Sequence, residues 1–363
     1  MERKTKRRTI LSAGSSLVAA APFGLAAPAI AQGVRRLKMV TDWPADVPGP
    51  QNSAVRLARS IGDATGGRLE VEVFAAGALV HAFETFDAVG AGVADMYHSY
   101  EGYFANKSPG FFFFATVPFG LTADEMFAWV RYGGGQELWD ALSGQFNVKA
   151  LLGGSTGCQM GGWFTREVAS VDAFKGLRYR MAGPGAEVLR RLGATVVLLP
   201  GGEIASALKS GAIDASEWIG PWQDMLIGLH KTAQYYYYPG FHEPGAAWSF
   251  GINKSLWDSL TADDRRIIET TAAAEYIRSL AEFNANNAAS LRELREDKAI
   301  KILKFDDNLL KELYRLSREV VAEAGAADEI SRKIYASYQR FRAGAVPWTD
   351  IAERAFLNAR ALG

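Results

Sequence analysis

The chain has 363 residues, of which 48% are hydrophobic and 12% aromatic, so it can bury one large core or two cores of ordinary size. Its basic residues (Lys and Arg) and its acidic residues (Asp and Glu) both number 40, and no basic stripe is interleaved with aromatic residues. This balance argues against a nucleic-acid partner. Cys158 is the only cysteine, so an internal disulfide is excluded and a redox-metal site is not expected.

Residues 1–31 have the pattern of an export signal, with a charged head, a short apolar run and a small-residue end. Arg7 and Arg8 precede the apolar run, and Ala29-Ile30-Ala31 fits a cleavage site. The run is too short and too rich in Ala, Gly and Ser for a membrane anchor, which needs about 20 strongly apolar residues. The sequence therefore predicts export to the periplasm by the twin-arginine route, with cleavage after Ala31 and a mature charge of about −4.

Strand patterns of period two alternate with helix patterns along the rest of the chain, which is typical of an α/β fold with parallel strands. Strands are expected at 36–40, 69–74, 93–96, 149–153, 159–165, 176–181, 195–199, 212–218 and 248–252. Helices are expected at 51–65, 82–91, 123–131, 186–192, 202–210, 262–300 and 309–362, the last with a break at 343–347.

A glycine-rich link near residue 157 divides this series, so two lobes are predicted. The first lobe begins with 32–157, the second lobe spans 158–248, and 249–300 returns to the first lobe through a long bridging helix. Residues 301–363 are predicted as a C-terminal helical region. Its last helix has an apolar face that needs a partner, formed by Ile351, Phe356, Leu357 and Leu362.

The segment 153–157 (GGSTG) fits the G-x-S-x-G pattern of a hydrolase nucleophile elbow, with Ser155 as the nucleophile. The elbow requires a helix directly afterwards, whereas 158–165 favours a strand. His230 and His242 could complete a triad, but both lie in apolar or aromatic surroundings that suit structural histidines. A serine hydrolase is kept only as an alternative.

Nucleotide and zinc sites are not supported. Gly183-Pro184-Gly185 lacks the third glycine of a dinucleotide fingerprint, and no phosphate-binding loop motif occurs. The four histidines show no i, i+4 pair. These observations do not exclude a site that holds a hard cation through oxygen ligands.

Gln159, Arg180 and Glu217 are each predicted at the edge of a second-lobe strand, where clefts form. Arg178 and Arg180 share one face of their strand, so either one of them faces a crevice or both are solvated. Glu217 precedes Trp218, and a buried carboxylate needs a cation or several donors, so it either stays at the surface or compensates a metal or an arginine. The pattern alone does not choose between these alternatives.

Four segments together resemble the substrate-binding subunits of tripartite ATP-independent periplasmic (TRAP) transporters, and in particular the branch that binds 2-oxo acids. The resemblance spans essentially the whole mature chain. It is carried by 172–180 (DAFKGLRYR), 192–194 (LGA), 207–218 (ALKSGAIDASEW) and 238–245 (YPGFHEPG).

This resemblance implies a two-lobed Venus-flytrap fold that binds its ligand without turning it over. Arg180 would pair with the ligand carboxylate, and a cation would be held by Gln159, by Glu217 and by the carbonyl of Trp218, with Glu243 also assigned to the metal site. The remaining substrate-binding residues are Tyr103, Trp222 and Trp248, together with Gln159.

The implied ligand is a small 2-oxo acid such as pyruvate, with a 2-hydroxy acid such as lactate as the alternative, because both present two adjacent oxygens to one cation. Glu217, a monovalent cation, one carboxylate and Arg180 carry no net charge, so sodium is expected and calcium is the alternative. The implied partners are the membrane subunits of a TRAP transporter and a second copy of the chain. A ligand-sensing role at a receptor is a further alternative.

Overall fold

The computed structural model describes residues 33–363, so the predicted signal peptide lies outside the described residues. Over this range, two β-sheets with helices packed against them confirm the predicted α/β class. None of the helices described is both long enough and apolar enough to cross a membrane.

The strands of the described residues are numbered in chain order. They are β1 Arg35–Thr41, β2 Leu69–Phe74, β3 Met96–Ser99, β4 Val148–Gly157, β5 Gly162–Phe164, β6 Arg178–Arg180, β7 Thr195–Val197, β8 Ala215–Ser216, β9 Tyr235–Tyr238, β10 Ala246–Asn253 and β11 Lys301–Lys304.

The first sheet has the strand order β2-β1-β3-β10-β4, and the second has the order β11-β9-β5-β8-β6-β7. β1 runs parallel to β2 and β3, whereas β10 runs antiparallel to β3 and β4. In the second sheet, β6 is parallel to β7 and β8, and β5 is antiparallel to β8 and β9. The chain thus leaves the first sheet after β4, returns at β10, and enters the second sheet again at β11.

The α-helices within residues 33–363 are numbered in the same way. They are α1 Pro50–Ala64, α2 Thr85–Gly90, α3 Phe112–Ala115, α4 Ala123–Tyr132, α5 Gly135–Ser143, α6 Gly183–Arg191, α7 Ile204–Lys209, α8 Pro221–Leu226, α9 Lys254–Ser259, α10 Ala262–Glu296, α11 Asp307–Ala326, α12 Glu329–Thr349 and α13 Ala355–Arg360.

Helix α10 is 35 residues long and connects the two halves of the structure. Its first turn is capped by Thr261, whose Oγ1 accepts a hydrogen bond from the backbone N–H of Asp264 at 3.1 Å. The helix packs against β4 and α1 on the side of the first sheet and against α8 on the side of the second. It therefore bridges both sheets, as its length and Ala- and Glu-rich sequence suggest.

The two C-terminal helices pack against different cores. Leu309 and Leu313 of α11 are buried in the core of the second sheet, whereas Ile334 and Tyr338 of α12 are buried in the core of the first. α12 is followed by a π-helical turn and then by α13, and this last stretch contributes no buried side chain. The end of the chain therefore extends beyond the cores.

Several elements differ from the sequence-based predictions. The strand predicted at 93–96 begins at Met96, because Val93 lies in an exposed turn. Lys301–Lys304, predicted as the start of a helical region, is strand β11, because it pairs in parallel with β9 at the edge of the second sheet. The break predicted at 343–347 is absent. α12 runs through Pro347, and the chain adjusts to the proline with the π-helical turn that follows.

Candidate functional site

Four side chains of the candidate site follow the carboxyl ends of parallel strands. Trp43 and Tyr100 come after β1 and β3 of the first sheet, and Arg180 and Glu217 come at the ends of β6 and β8 of the second. Residues from both groups line one cavity of about 30 Å³. The carboxyl edge of parallel strands is where α/β folds bind their ligands.

Arg180 is the buried cation of this cavity, with 1% of its surface exposed. Its Nε donates to the carbonyl of Leu199 at 3.0 Å, and its Nη1 donates to the Glu217 carboxylate at 2.6 Å and to the Glu217 carbonyl at 3.1 Å. Its guanidinium lies 5.4 Å from the centroid of the Trp218 ring. Nη2 has no hydrogen-bond partner among the described residues, so one donor remains free at a fully buried position.

Arg178, two residues earlier in β6, lies at the surface and forms an ion pair with Asp214. The sequence left open whether either arginine leaves the solvent. The structure buries Arg180 and exposes Arg178, so the two have separate partners although they share a strand.

Glu217 is the buried anion of the cavity. Besides Arg180, its Oε1 accepts from the backbone N–H of Ala182 at 3.2 Å, and its Oε2 lies 3.8 Å from Nε2 of His242. Burial, the largest single effect, would raise the pKa of this carboxyl, but the charge of Arg180 acting together with His242 and the backbone N–H of Ala182 outweighs burial and holds the pKa below its ordinary value. Glu217 is therefore an ionised group with one oxygen less fully engaged than the other.

Gln159 presents an unused acceptor to the same cavity. Its side-chain nitrogen donates to Oγ1 of Thr156 at 3.2 Å, which leaves Oε1 buried and without a partner in residues 33–363. Such an orphaned oxygen is costly unless a donor or a cation reaches it.

The residues fit an oxygen-ligated cation. No group of three or more His, Cys, Asp or Glu side chains is arranged for a metal in the described part of the chain. A cation site here would instead combine the Gln159 amide oxygen, the Glu217 carboxylate and the Trp218 carbonyl, which is the donor chemistry that Na⁺ and Ca²⁺ prefer over Zn²⁺.

Glu243 adds a second carboxyl group to the cavity. Its Oε1 accepts a hydrogen bond from the Tyr100 hydroxyl at 2.6 Å, and it lies in the same cavity lining as Glu217. Burial, followed by the negative charge of Glu217, raises the pKa of Glu243 to about 7. Near neutral pH this group is therefore close to the midpoint of its titration.

The remaining wall of the cavity is aromatic. Trp43 and Trp248 pack against each other at a centroid distance of 5.6 Å, and Nε1 of Trp43 donates to Nδ1 of His98 at 2.8 Å. Tyr103 packs between Tyr100 and Phe83, at 5.2 and 4.9 Å. Trp43, Trp248, Tyr100 and Tyr103 thus give the cavity an aromatic lining beside its charged groups.

Glycine at position 183 lets the second half of the molecule approach this wall. Gly183 begins α6 with a φ of +66°, and a Cβ there would lie 2.7 Å from the Tyr100 hydroxyl. A larger residue would be strained and would also push against Tyr100.

The structure brings most of the predicted site residues together. The cavity lining contains Tyr103, Gln159, Arg180, Glu217, Trp218, Glu243 and Trp248. Trp222 does not belong to this lining: its ring packs against Phe283 of α10 at 5.0 Å. Trp43 and Tyr100 were not predicted as site residues, although their positions just after strands β1 and β3 were a usable signal.

Ser155, the residue of the hydrolase alternative, lies within β4. Its Oγ donates to the carbonyl of Ala246 at 2.8 Å and accepts from the backbone N–H of Gly157 at 3.1 Å. β4 continues to Gly157 and no helix follows directly, so the strand-turn-helix context of a nucleophile elbow is lacking in this segment. The hydroxyl instead joins β4 to the start of β10.

Comparison with known proteins gives consistent matches. Residues 42–328 match the family described as bacterial extracellular solute-binding protein, family 7. A monocarboxylate 2-oxoacid-binding periplasmic protein of Nostoc sp. is 36% identical over 323 residues, covering 89% of this chain and 88% of that protein.

Solved structures extend the likeness to three dimensions. A TRAP transporter solute-binding protein of Bordetella bronchiseptica, a mixed-occupancy dimer with copurified calcium and picolinate, has a TM-score of 0.88 and 31% identity, covering 91% of this chain and 98% of its own. A TRAP solute-binding protein of Pseudoalteromonas atlantica with bound sodium and pyruvate has a TM-score of 0.86 and 33% identity, covering 90% and 99%.

These matches confirm the predicted two-lobed fold and overturn the hydrolase alternative, since the family consists of substrate-binding transport proteins. They also imply a periplasmic location. The chain belongs to the bacterial extracellular solute-binding proteins of family 7, the periplasmic binding subunits of TRAP transporters.

Proposed function

We propose that this protein binds a small 2-oxo acid, pyruvate or a close analogue, together with one cation, and delivers the acid to the membrane subunits of a TRAP transporter. The observation that carries the proposal is a pair of unused polar atoms in one cavity. Among residues 33–363, Nη2 of Arg180 finds no acceptor and Oε1 of Gln159 finds no donor, and both side chains line the cavity. A ligand carboxylate suits the donor and a cation suits the acceptor, so a chelating acid satisfies both.

The carboxylate reaches Arg180 through Nη2, because Nε and Nη1 are already engaged by Leu199 and Glu217. Gln159, Glu217 and Trp218 would hold the cation, which would supply a positive charge to the carboxylate and the neighbouring oxo oxygen, the pairing that distinguishes 2-oxo acids from simple carboxylates. The aromatic wall of Trp43, Trp248 and Tyr103 excludes water from the rest of the acid. Lactate offers a hydroxyl at the same place and is the competing ligand.

Sodium is the expected cation because it balances the ionised groups when Glu243 is protonated. Arg180, Glu217, Na⁺ and the ligand then carry no net charge. Calcium achieves the same balance when Glu243 is ionised. The relatives from Pseudoalteromonas and Bordetella, with sodium and calcium respectively, are compatible with either choice.

The proposed lobes are 32–157 with 249–300, and 158–248, and the ligand cavity lies in the cleft between them. Closure is supported by contacts from one side to the other, such as the hydrogen bond of Tyr100 to Glu243 and the donation from Gln223 Nε2 to the carbonyl of Pro48 at 2.6 Å. We assign residues 301–363 to a separate C-terminal region.

That region supports a homodimer formed through the end of the chain. Trp348, near the end of α12, is 68% exposed, and Ile351 and Phe356, in the π-helical turn and in α13, where no side chain is buried, are 71% and 63% exposed. Large apolar groups concentrated in this way mark an interface. A second copy is the occupant we infer, and the Bordetella relative is a dimer.

The test of the binding proposal is native mass spectrometry followed by calorimetry. The protein as purified should carry mass increments for one acid and one metal ion. After removal of both, pyruvate should bind in the presence of Na⁺ or Ca²⁺, with lactate and acetate as comparison ligands. Equal affinity for pyruvate and acetate, or binding that ignores both cations, contradicts the proposed site.

Export by the twin-arginine route is proposed from the paired Arg7 and Arg8 and the Ala29-Ile30-Ala31 end. N-terminal sequencing of periplasmic protein should begin at Gln32. A full-length chain retained in the membrane refutes the assignment.

A further inference from the structure

A buried aspartate lies just behind the proposed cation ligands. Asp224, in the first turn of α8, is 1% exposed and forms no ion pair within residues 33–363. Its Oδ1 accepts from the backbone N–H groups of Ile219 and Gly220, at 3.0 and 3.1 Å. Its Oδ2 accepts from Nε1 of Trp163 at 2.9 Å and from the hydroxyl of Tyr236 at 2.7 Å. Four donors thus converge on one carboxylate.

These four donors tie a short turn to the second sheet. Trp163 lies in β5 and Tyr236 in β9, two paired strands whose rings stack at 4.1 Å. Ile219 and Gly220 lie in the turn between β8 and α8, directly after Glu217 and Trp218. The side chain of Asp224 therefore connects a rigid part of the sheet with the turn that carries two of the proposed cation ligands.

The same turn is held on its other side by backbone bonds. The N–H of Glu217 donates to the carbonyl of Arg180 at 3.3 Å, and the N–H of Met160, next to Gln159, donates to the carbonyl of Ile219 at 3.1 Å. The distance between Gln159 and Glu217 thus depends on the position of this turn. The side chain of Asp224 fixes the end of the turn at Ile219 and Gly220.

We propose that Asp224 is a positioning residue for the cation site: it contacts neither cation nor acid, but holds the 217–220 turn so that the Glu217 carboxylate and the Trp218 carbonyl keep a fixed spacing from Gln159. The inference rests on the proposed function and names a residue outside its ligand set. Metal sites depend on such supporting hydrogen bonds, whose loss typically lowers metal affinity 10- to 100-fold.

The position requires a carboxylate because four donors need acceptor sites on both oxygens. An asparagine has the same shape but turns an NH₂ group toward two of the donors, either the two backbone amides or the Trp163 and Tyr236 pair. We therefore expect Asp224→Asn to loosen the turn without creating a cavity.

The experiment compares Asp224→Asn with Glu275→Gln in the full mature chain. Glu275 is an equally buried acid in α10, bonded to Ser53 and Arg56 outside the cavity lining, so its loss reports what a destabilised buried network does by itself. Calorimetric titration of the metal-free proteins with Ca²⁺ alone and Na⁺ alone gives cation affinity. Hydrogen–deuterium exchange of the peptide containing 217–220 gives the order of the turn without any ligand.

Asp224→Asn should lower cation affinity by about 10- to 100-fold and speed exchange in 217–220, while Glu275→Gln leaves both at wild-type values. Tyr236→Phe, which removes one of the four donors and keeps the ring, should shift both readouts in the same direction by less, and it serves alone if Asp224→Asn does not fold. Wild-type exchange in 217–220 and wild-type cation affinity in either of these variants, or an equal loss in Glu275→Gln, overturns the proposal. If wild type binds no cation, the proposed function fails, whereas the exchange measurement still decides whether Asp224 orders the turn.

Discussion

Arg180 and Glu217 form a direct ion pair of 2.6 Å inside the protein, at positions where both side chains are almost completely buried. The pairing follows from strand register, because Arg180 lies opposite Ser216 in the parallel strands β6 and β8, which places Glu217 one residue beyond. The family resemblance implies separate partners for the two residues, the acid for Arg180 and the cation for Glu217. Because the two side chains are in contact, a substitution of either one also changes the surroundings of the other. The two substitutions should still have different effects, because Arg180 binds the acid and Glu217 binds the cation in the proposed site.

Arg180→Met should abolish most of the acid binding, because it removes the charge at the free donor and leaves Glu217 without its partner. The expected loss is on the order of 2 to 5 kcal/mol of binding free energy, and added Na⁺ or Ca²⁺ should not restore it. Arg180→Lys should also bind poorly, since an ammonium group cannot serve Leu199, Glu217 and a ligand with the geometry of a planar fork.

Calorimetric titration with pyruvate measures this effect, and thermal unfolding of the same samples separates it from instability. Arg178→Met is the matched control, because Arg178 lies in the same strand but is exposed and pairs with Asp214. The assignment fails if Arg180→Met binds like wild type, or if Arg178→Met loses as much.

Glu217→Gln should weaken acid binding in a way that cations repair. Glutamine retains an oxygen that can accept from Arg180 and Ala182 but loses the negative charge that attracts a cation. Acid affinity should fall at low metal concentration and recover in part as Na⁺ or Ca²⁺ is raised, because metal and acid binding are linked. Asp214→Asn, a change at a half-buried acid before β8 that pairs with Arg178 and lies outside the cavity lining, is the control. A Glu217→Gln protein without metal dependence, beside a wild type that has one, contradicts the assignment.

Glu243→Gln should change which cation is preferred. A neutral side chain at this position leaves Na⁺ balanced but gives Ca²⁺ one uncompensated positive charge in a buried cavity. The ratio of Ca²⁺ to Na⁺ affinity should therefore fall, as measured by titration of the metal-free protein in the presence of pyruvate. Tyr100→Phe removes the hydrogen bond to Glu243 without changing the charge, and should alter the ratio much less. A parallel change for both cations argues that Glu243 does not sense cation charge.

Most residues of the site were predictable from the sequence, but the directions of their side chains were not. Gln159, Arg180 and Glu217 were found from strand ends and family motifs, and these positions do meet at one cavity. Trp222 was assigned to the cleft only by the family resemblance, yet α8 turns its ring toward Phe283. The direction of a side chain on a six-residue helix depends on what that helix packs against, and local sequence does not contain this information.

The second sheet shows a similar limit. β8 has two residues and β5 and β6 have three each, too few for a period of two to mark their ends. β9 and β11 were missed because a run of four tyrosines and the segment Lys301–Lys304 show no alternation of polar and apolar residues, and β11 lies at the edge of the sheet, where it pairs with β9 alone. Long periodic elements such as α1 and α10, by contrast, were predicted within a few residues of their bounds.

The stability of the ligand-free protein should fall as pH rises through neutrality. Burial raises the pKa of Glu101 to about 8 and that of Asp42 to about 7. In the unfolded chain these groups release their protons at their ordinary, lower pKa values, so between those values and about pH 8 the folded state binds more protons. The stability that these two carboxyls contribute is therefore greatest at the acidic end of this range, declines toward pH 8 and levels off above it, whereas His98, whose pKa burial lowers to about 4, acts in the opposite sense only below its ordinary pKa.

Glu101→Gln should flatten this decline. The Oε1 of Glu101 accepts from the Tyr97 hydroxyl at 2.8 Å, a bond that glutamine can keep, while the neutral amide never acquires the buried charge. Urea unfolding at pH 6 and pH 9 should show a smaller difference for the variant than for wild type. An identical difference in both proteins means that Glu101 does not account for the decline.

Removal of the chain after Ala345 should convert a dimer into a monomer if the exposed end of the chain is the interface. The cut leaves Ile334 and Tyr338, the side chains of α12 that are buried in the first core, and removes Trp348, Ile351 and Phe356. Light scattering of intact and truncated protein measures the change. Ile351→Glu tests the same face in the full-length mature chain, because a charge placed between two copies is desolvated and unpaired. Tyr132→Glu, a change of the same kind at an exposed residue of α4, should leave the mass unchanged. Equal masses for the intact protein, the truncated protein and Ile351→Glu exclude this helix as the interface.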